Sequence, residues 1–457
     1  MNEICEIVTS QKGKDKLNIH GYLLIKEQNR KNTYYWCCEE RKSGNCKGRA
    51  VTVFDNGQHY LKKFKKHNHS PRTGRKDVVK LISNIKQQAK NTRDKPSQII
   101  QNNLANVSEG IIPYIPSYEA LRSTIKRARR TESTLEPKSL DEIDIPTSLC
   151  FTLSGDLFFL KNAIVDQEGY LLFSTIKNIR YLSQATFWLM DGTFKIVPKL
   201  FYQLYTIHAP VGATSNCRIL PLVYVLMTNK NEELYQQLFQ DLNEIAEENN
   251  IALSPSIIIT DFERASINAS RNEFPDTTNK CCFFHLGQSG WRKIQKVGLA
   301  NQYGDDDNLS LRLRQLFALA FLPANEIPSA FIILKQHMPS ITSEVVEWFE
   351  FTYVLGKPRR ELQDGVPRTQ NKVEAWHHRF GTLVGRLHVG VYTIIQEFQK
   401  EQQFVELEVE RIIRGDPQPK RRQQIIDQEQ RIMEIVNNRT NLTVMNYLRG
   451  IAYNFSL

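Results

Sequence analysis

The sequence predicts an α/β protein in which a small all-β unit precedes a larger domain built on a buried sheet with a helical insertion. Three observations carry that expectation. Aromatic and β-branched segments separated by polar turns crowd the first part of the chain, up to about Leu61. Farther on, two short apolar runs, Phe187–Met190 and Ile257–Thr260, lead into carboxylates, Asp191 and Asp261. Such runs suit strands buried on both faces of a sheet. From about residue 303 to 370 the strand pattern stops and apolar residues recur at helical spacing.

In the first unit, residues 1–76, strand segments at Gly21–Ile25, Thr33–Trp36, Ala50–Phe54 and Tyr60–Leu61 are joined by turns such as Asp55-Asn56-Gly57, which predicts an antiparallel sheet. A unit of this size has a marginal core, and a metal commonly makes up the difference. Cys38, Cys46, His67 and His69 offer two thiolates and two imidazoles, the donor set of a tetrahedral structural zinc. On an extended tail, residues two apart face the same way, so His67 and His69 can converge on one ion. Cys37 is the alternative to Cys38, whichever of the two is spare being left to packing. Lys62, Lys63, Lys65 and Lys66 interleave with Phe64, and Arg72, Arg75 and Lys76 follow. Such a cluster neutralises phosphates whatever the base sequence; the plainer alternative is a solvated charged face.

Residues 77–145 form a helical connector, with Val78, Val79, Leu81, Ile82 and Ile85 at helical spacing. Pro113 and Pro116 interrupt it, and Ser117 is an N-cap for a helix over Tyr118–Arg130. The basic residues at its end, Lys126, Arg127, Arg129 and Arg130, suit the helix dipole.

Residues 146–400 hold the larger domain. The expected order is a strand near Tyr170–Phe173, a helix to Ser183, strands at Thr186–Asp191, Tyr202–His208 and Ile219–Met227, and a helix over Glu232–Glu248. Strand Ile257–Asp261, helix Phe262–Asn272 and a short strand at Cys281–Phe283 complete it. Three meandering strands followed by helix, strand, helix, strand is the RNase H-like order. If the strands ending in Asp191 and Asp261 lie side by side, both carboxylates reach one sheet edge, where hard divalent cations prefer oxygen ligands. Glu374 is the candidate third acid, with His377 at i+3 and His378 at i+4 on the same side of its helix, and Glu263 is its nearest rival.

Cys282 and His285 form either half of a zinc site, with His337 and His388 as distant completions, or a packed thiol beside a histidine that orients its neighbours. Asp305, Asp306 and Asp307 lack the spacing of a calcium loop and suit a helix N-terminus or an exposed loop. Residues 401–457 read as a helical tail, broken at Gly415-Asp416-Pro417, with Lys420-Arg421-Arg422 as a weak nuclear-import signal.

The 457 residues allow two or three domains, and a hydrophobic share of 41% provides for a core. Sixty basic against 49 acidic side chains leave +11, which favours an anionic polymer as partner. No apolar run reaches membrane-spanning length, so no membrane association is expected. The polar N-terminus shows no signal peptide, and eight cysteines, four of them in adjacent pairs, suit reduced intracellular thiols and metal binding.

Beyond this residue-level reading, Asp191-Gly192-Thr193-Phe194, Thr260-Asp261, the segment Cys282 to Ser289 with Trp291 to Gln295, and Asn371 to His377 together resemble a MULE (Mutator-like element) transposase over roughly residues 110 to 400. Trp36-x-Cys38, the Lys42 to Arg49 run and His67-Asn68-His69 resemble a FLYWCH zinc finger. The resemblance implies an RNase H-like domain of the DDE type, with Asp191, Asp261 and Glu374 holding Mg²⁺ or Mn²⁺, His377 beside them, and zinc in the finger. It implies DNA recombination in the nucleus on double-stranded DNA, both transposon ends and target, by a chain that oligomerises on DNA. The helix ending in Lys126 to Arg130 would then be a second DNA contact. A domesticated descendant that regulates by binding DNA without cutting it is the competing expectation.

Overall fold

The computed structural model describes the chain except residues 1–2, 10–13, 73, 93, 106, 131–135, 166, 214, 356–370, 386, 419 and 421, and the side chain of Arg130. It divides into two units, Met1–Leu135 and Glu136–Leu457.

The first unit is built on six antiparallel strands, β1 (Ile4–Thr9), β2 (Asp15–Ile19), β3 (Tyr22–Arg30), β4 (Thr33–Cys38), β5 (Arg49–Asp55) and β6 (Gln58–Lys65). Strand β6 returns to pair with β1, closing a barrel, which removes the free edges of so small a sheet. Leu17, Leu24, Trp36 and Ala50 fill it, and the Trp36 indole donates to Thr52 Oγ1 at 2.8 Å. The β5–β6 turn places Asn56 and Gly57 at φ 49° and 80°, the pair of left-handed conformations that a tight hairpin needs. The register of β6 skips Lys62, so Leu61 and Phe64 both pack on the core while Lys63 and Lys65 stay exposed.

Three helices complete this unit: α1 (Arg75–Asn91), α2 (Pro96–Leu104) and α3 (Tyr118–Arg130), around Val78, Ile82, Ile85, Ile99, Leu121 and Ile125. Ser117 Oγ accepts from the backbone N–H of Ala120 at 3.4 Å, in the capping role expected of it. Val79 turns the other way and packs on Val8 and Leu23 of the barrel. The expected connector is therefore part of the barrel's own unit, because α1 buries apolar residues on two sides.

The second unit holds a seven-stranded sheet. Its strands are β7 (Phe159–Val165), β8 (Glu168–Phe173), β9 (Phe187–Thr193), β10 (Gln203–Val211), β11 (Arg218–Met227), β12 (Ile257–Thr260) and β13 (Thr278–Cys281), in the order β13-β12-β9-β10-β11-β8-β7. The pairs β9–β12 and β12–β13 are parallel and the rest antiparallel. Helices α4 (Ile176–Gln184), α5 (Glu232–Glu248) and α6 (Arg264–Glu273) cover one face over Trp188, Met190, Tyr205 and Leu238. After β13 come α7 (Phe283–Lys296), α8 (Ala300–Asp305), α9 (Asp307–Ala318), α10 (Ile327–Lys335) and α11 (Ser343–Phe349). Asp306 caps α9, its carboxylate accepting from Asn308 N and Leu309 N. The remaining helices are α12 (Asn371–Val384), α13 (Val391–Ile413), α14 (Gln423–Asn437) and α15 (Val444–Ala452).

Helices α12 and α13 cover the second face of the sheet through Trp376, Phe380 and Phe398, packed with Phe173 and Tyr224. The expected boundary at residue 400 falls inside the continuous α13, whose Phe398 and Val405 are both fully buried. Beyond it, α14 and α15 join the core of α9 and α10 through Ile432, Tyr447 and Leu448, and the Tyr447 hydroxyl donates to Phe321 O at 2.6 Å. The expected insertion is helical as far as the described residues reach, and its end, 356–370, lies outside them. Among the described residues no helix is long and apolar enough to cross a membrane.

Candidate metal centre and acidic active site

Four donors meet at one end of the barrel. Cys38 ends β4, Cys46 lies in the loop before β5, and His67 and His69 stand on the extended tail after β6. Cys38 Sγ is 3.3 Å from His69 Nε2, Cys46 Sγ is 3.4 Å from His67 Nδ1, and the two ring nitrogens are 3.3 Å apart. A tetrahedron with zinc–ligand bonds of about 2.0–2.3 Å separates its corners by roughly 3.3–3.8 Å, so these residues fit the ion. Backbone N–H groups of Glu40 and Gly48 donate to the Cys38 and Cys46 sulfurs at 3.4 and 3.3 Å, as thiolates require. Burial would raise the Cys46 thiol, but the N–H groups of Asn68 and Gly48, together with the side chains of Cys38 and His69, lower it overall. Burial pushes Cys38 up to about 11, and the neighbouring Cys46 adds to the rise. A cation between the two sulfurs would remove that cost. The Tyr22 ring stacks on His67 at 3.9 Å, and His69 Nδ1 faces Ser70 O at 3.0 Å, which aims its Nε2 at the site. Cys37 is buried outside the cluster.

Of the basic residues of this unit, Lys62, Lys63, Lys65 and Lys66 are exposed. Arg72, Arg75 and Lys76 instead pair with Glu40, Glu39 and Glu6. On α3, Lys126 and Arg127 are exposed. Arg129 turns inward, donating to the carbonyls of Ala89, Thr92 and Asp94 at 3.0, 3.0 and 2.7 Å, and so tethers the end of α1. That use removes Arg129 from the expected DNA-facing set, and the side chain of Arg130 lies outside the described residues.

In the second unit the parallel β9–β12 ladder sets Ile257 against Phe187 and Ile259 against Leu189, so the chain reaches Asp261 level with Asp191, one strand away. Asp191 is buried, and its Oδ1 accepts from the Gly192 N–H at 2.9 Å. A Cβ at position 192 would stand 2.6 Å from Gln203 Oε1, a packing reason for the glycine after the acid. Asp261 Oδ1 accepts from the Glu263 N–H at 3.1 Å. Burial and then the charge of Asp191 raise the Asp261 carboxyl above its usual range; burial and Asp261 do the same to Glu263.

Helix α12 brings Glu374 to this edge. His285 Nε2 stands 3.0 Å from Glu374 Oε1 and 4.0 Å from Asp191 Oδ1, and donor atoms of these three residues lie within 4.8 Å of one another. His377 Nε2 is 3.3 Å from Asp191 Oδ2, whereas His378 is exposed. Burial alone would disfavour a charged His285, but the Cys282 sulfur, Glu374 and Asp191 outweigh it and raise the imidazolium to about 11. His337 and His388 bond to the carbonyls of Ile333 and Val197, and neither belongs to the cluster around His285. Asp191, Glu374 and His285 thus bring two carboxylates and one imidazole within reach of one another, whereas Asp261, level with Asp191 on the next strand, lies outside that group and feels the favourable charges of His285 and Lys230.

Sequence reasoning missed the support beneath this edge. His208 is buried with Nε2 3.1 Å from Thr206 Oγ1 and its ring edge-on to Trp376 at 5.1 Å; burial holds its pKa well below the ordinary histidine value. Gln203 donates to the Tyr235 hydroxyl at 2.7 Å, which donates to Glu263 Oε2 at 3.3 Å. The signal was present in the chain: Gln203, Thr206 and His208 are polar residues inside an otherwise apolar strand.

Two family models match parts of the chain. Residues 187–289 match the model of the MULE transposase domain, a span that includes Asp191, Asp261 and His285 and stops short of Glu374 and His377. Residues 7–69 match the model of the FLYWCH zinc finger domain, a span that includes all four zinc-site residues. No curated protein matches the chain. A FLYWCH zinc finger domain over residues 7–69 and, after it, a MULE transposase domain over residues 187–289 are thus both present in this protein.

Proposed function

We propose that the protein is a DNA transposase that binds element ends and catalyses strand cleavage and strand transfer by a DDE mechanism. The observations that support this reading are that Asp191 and Glu374, from a strand and a helix far along the chain, meet around His285, and that Asp261 stands level with Asp191 on the adjacent strand. Mg²⁺ or Mn²⁺ held by these carboxylates would activate water or a 3′-hydroxyl and steady the leaving oxygen of an in-line displacement. In this reading His285, 3.0 Å from Glu374, orients that carboxylate, His377, 3.3 Å from Asp191, is the neighbouring imidazole, and the burial of Asp191 limits water at the reacting atoms. Cleavage at an element end and joining to target DNA use the same edge, so no covalent enzyme intermediate is needed.

The finger supplies recognition in this proposal, its zinc held by Cys38, Cys46, His67 and His69, with exposed Lys62, Lys63, Lys65 and Lys66 as phosphate contacts. Lys126, Arg127 and Arg130 of α3 are the proposed second contact. Nuclear location and assembly as a homo-oligomer on DNA follow from the same reading; Lys420 and Arg422 are exposed, and Arg421 lies outside the described residues.

A second reading, a domesticated DNA-binding regulator without cleavage, draws on the His285–Glu374 pair, which compensates one acid with a protein cation. Cleavage of labelled DNA ends with Mn²⁺, comparing wild type with Asp261→Asn, separates the two. Metal-dependent cutting by wild type alone supports the transposase, and no cutting by either supports the regulator.

A further inference from the structure

Beside Asp261 opens a cavity of about 500 Å³ between α6 and α7. His285, Gln288, Ser289 and Arg292 line it from α7. Their spacing, i, i+3, i+4 and i+7, is one face of one helix. The Tyr353 hydroxyl donates to Ser289 Oγ at 3.0 Å and holds the wall in place. Lys230, from the loop after β11, and Arg264, the first residue of α6, complete the rim.

The three cations differ in what they do. Lys230 is 3.5 Å from Glu263 Oε1 and is spent on that carboxylate. Arg264 and Arg292 are exposed and have no carboxylate partner among the described residues, although Asp261 and Glu263 line the same cavity. A cluster of carboxylates repels a polyanion, so a strand can settle there only where fixed positive charge offsets the repulsion. Guanidinium groups match phosphate oxygens by their planar fork.

We propose that Arg264 and Arg292 bind the sugar–phosphate backbone of the DNA strand next to the bond to be cut, making this cavity the subsite of a flanking phosphate and the polar face of α7 its rail. The subsite rests on the DNA-cleaving reading of the acidic edge. Gln288 and Ser289 supply neutral hydrogen-bonding groups along the same track, which suits a backbone contact indifferent to base identity.

The test uses the full chain. Arginines are modified by a dicarbonyl reagent with and without a short DNA duplex, and modification is read peptide by peptide by mass spectrometry. DNA should protect Arg264 and Arg292. In cleavage kinetics, Arg292→Ala should raise KM on the order of tenfold, the loss of one charge-assisted contact, and leave kcat nearly unchanged. Arg292→Lys should restore part of that loss. Uncharged methylphosphonate linkages are then placed in turn on either side of the cleaved bond. One position should weaken the wild type and have no further effect in Arg292→Ala, as for two halves of one contact. Equal modification with and without DNA, or losses that simply multiply at every position, overturns the proposal. If wild type cuts no DNA, the cleavage reading fails by itself, and the protection pattern still decides whether this cavity holds a strand.

Discussion

A Cβ added to Gly48 would stand 2.5 Å from the His67 ring, closer than real side chains approach. Gly48→Ala must therefore push His67 Nδ1 away from its place 3.4 Å from the Cys46 sulfur. Zinc affinity is expected to fall about 10–100-fold, as when a supporting residue is lost, measured by competition with a coloured chelator. At the acidic edge, Asp191→Asn and Glu374→Gln should each abolish cleavage while DNA binding stays nearly intact; wild-type cutting by either variant at saturating Mg²⁺ would remove that residue from the mechanism. The raised carboxyls of Asp261 and Glu263 bear on stability as well. A carboxyl raised by folding stabilises the native state at low pH, and that contribution is lost as pH rises through its folded value. Once ionised these two carboxylates are therefore a cost, opposed by the raised imidazolium of His285 and one that a divalent cation would offset further. Mg²⁺ or Mn²⁺ should raise the melting temperature of the second unit at neutral pH, less so as pH falls through the raised carboxyl range, and not in Asp191→Asn. Differential scanning calorimetry with and without the ion checks this.

At the scale of elements, the position of Glu374 depends on how α12 is held to α13. The Trp376 indole donates to Glu401 Oε1 at 2.7 Å, Arg379 pairs with the same carboxylate, and Glu401 is almost fully buried. Glu401→Ala leaves the indole N–H without its partner, at a cost of about 1–3 kcal/mol, and frees α12 to shift. The expected outcome is a lower thermal midpoint and a lower kcat, although Glu401 is not among the residues of the site; unchanged kcat with lowered stability would mean that α12 is held by its apolar contacts alone. Most elements were legible in the chain because their apolar spacing is strong, as in α5 with Leu234, Leu238 and Leu242 on one face. Strand β7 was not. It is an edge strand whose residues are only half-buried or exposed, so it carries no apolar run. The ladder with β8, rather than side-chain burial, makes it a strand. The Glu401 contact was illegible for another reason: a charged residue 25 positions past Trp376 has no local signature.

Across the whole molecule, two units with separate cores should lose structure separately. Chelating zinc or changing Cys46→Ala should remove the transition of the first unit and leave that of the second, because the binding free energy of a structural zinc is folding free energy for the domain that holds it. Cys46→Ala is then expected to cut DNA weakly, without preference for element ends and with steep salt dependence, whereas Asp261→Asn should bind ends selectively and cut nothing. Competition between end DNA and random DNA at two salt concentrations measures both; an undiminished end preference in Cys46→Ala would move recognition out of the finger. By itself the sequence determined the two domain types, and it singled out Cys38, Cys46, His67 and His69 as candidate zinc ligands and Asp191 and Asp261 as candidate acids, because these depend on residue chemistry at close spacing or on an apolar run that ends in a carboxylate; Glu374 was a candidate only through its helical setting and the family resemblance. The tertiary structure decided what chain distance conceals. It set Asp261 level with Asp191 through a parallel register, brought His285 to Glu374 across 89 positions of sequence, turned Arg129 inward onto α1, and left Arg264 and Arg292 without a carboxylate partner among the described residues on the rim of the acidic edge. Those outcomes are set by packing between elements far apart in the chain, which local propensity and spacing do not encode.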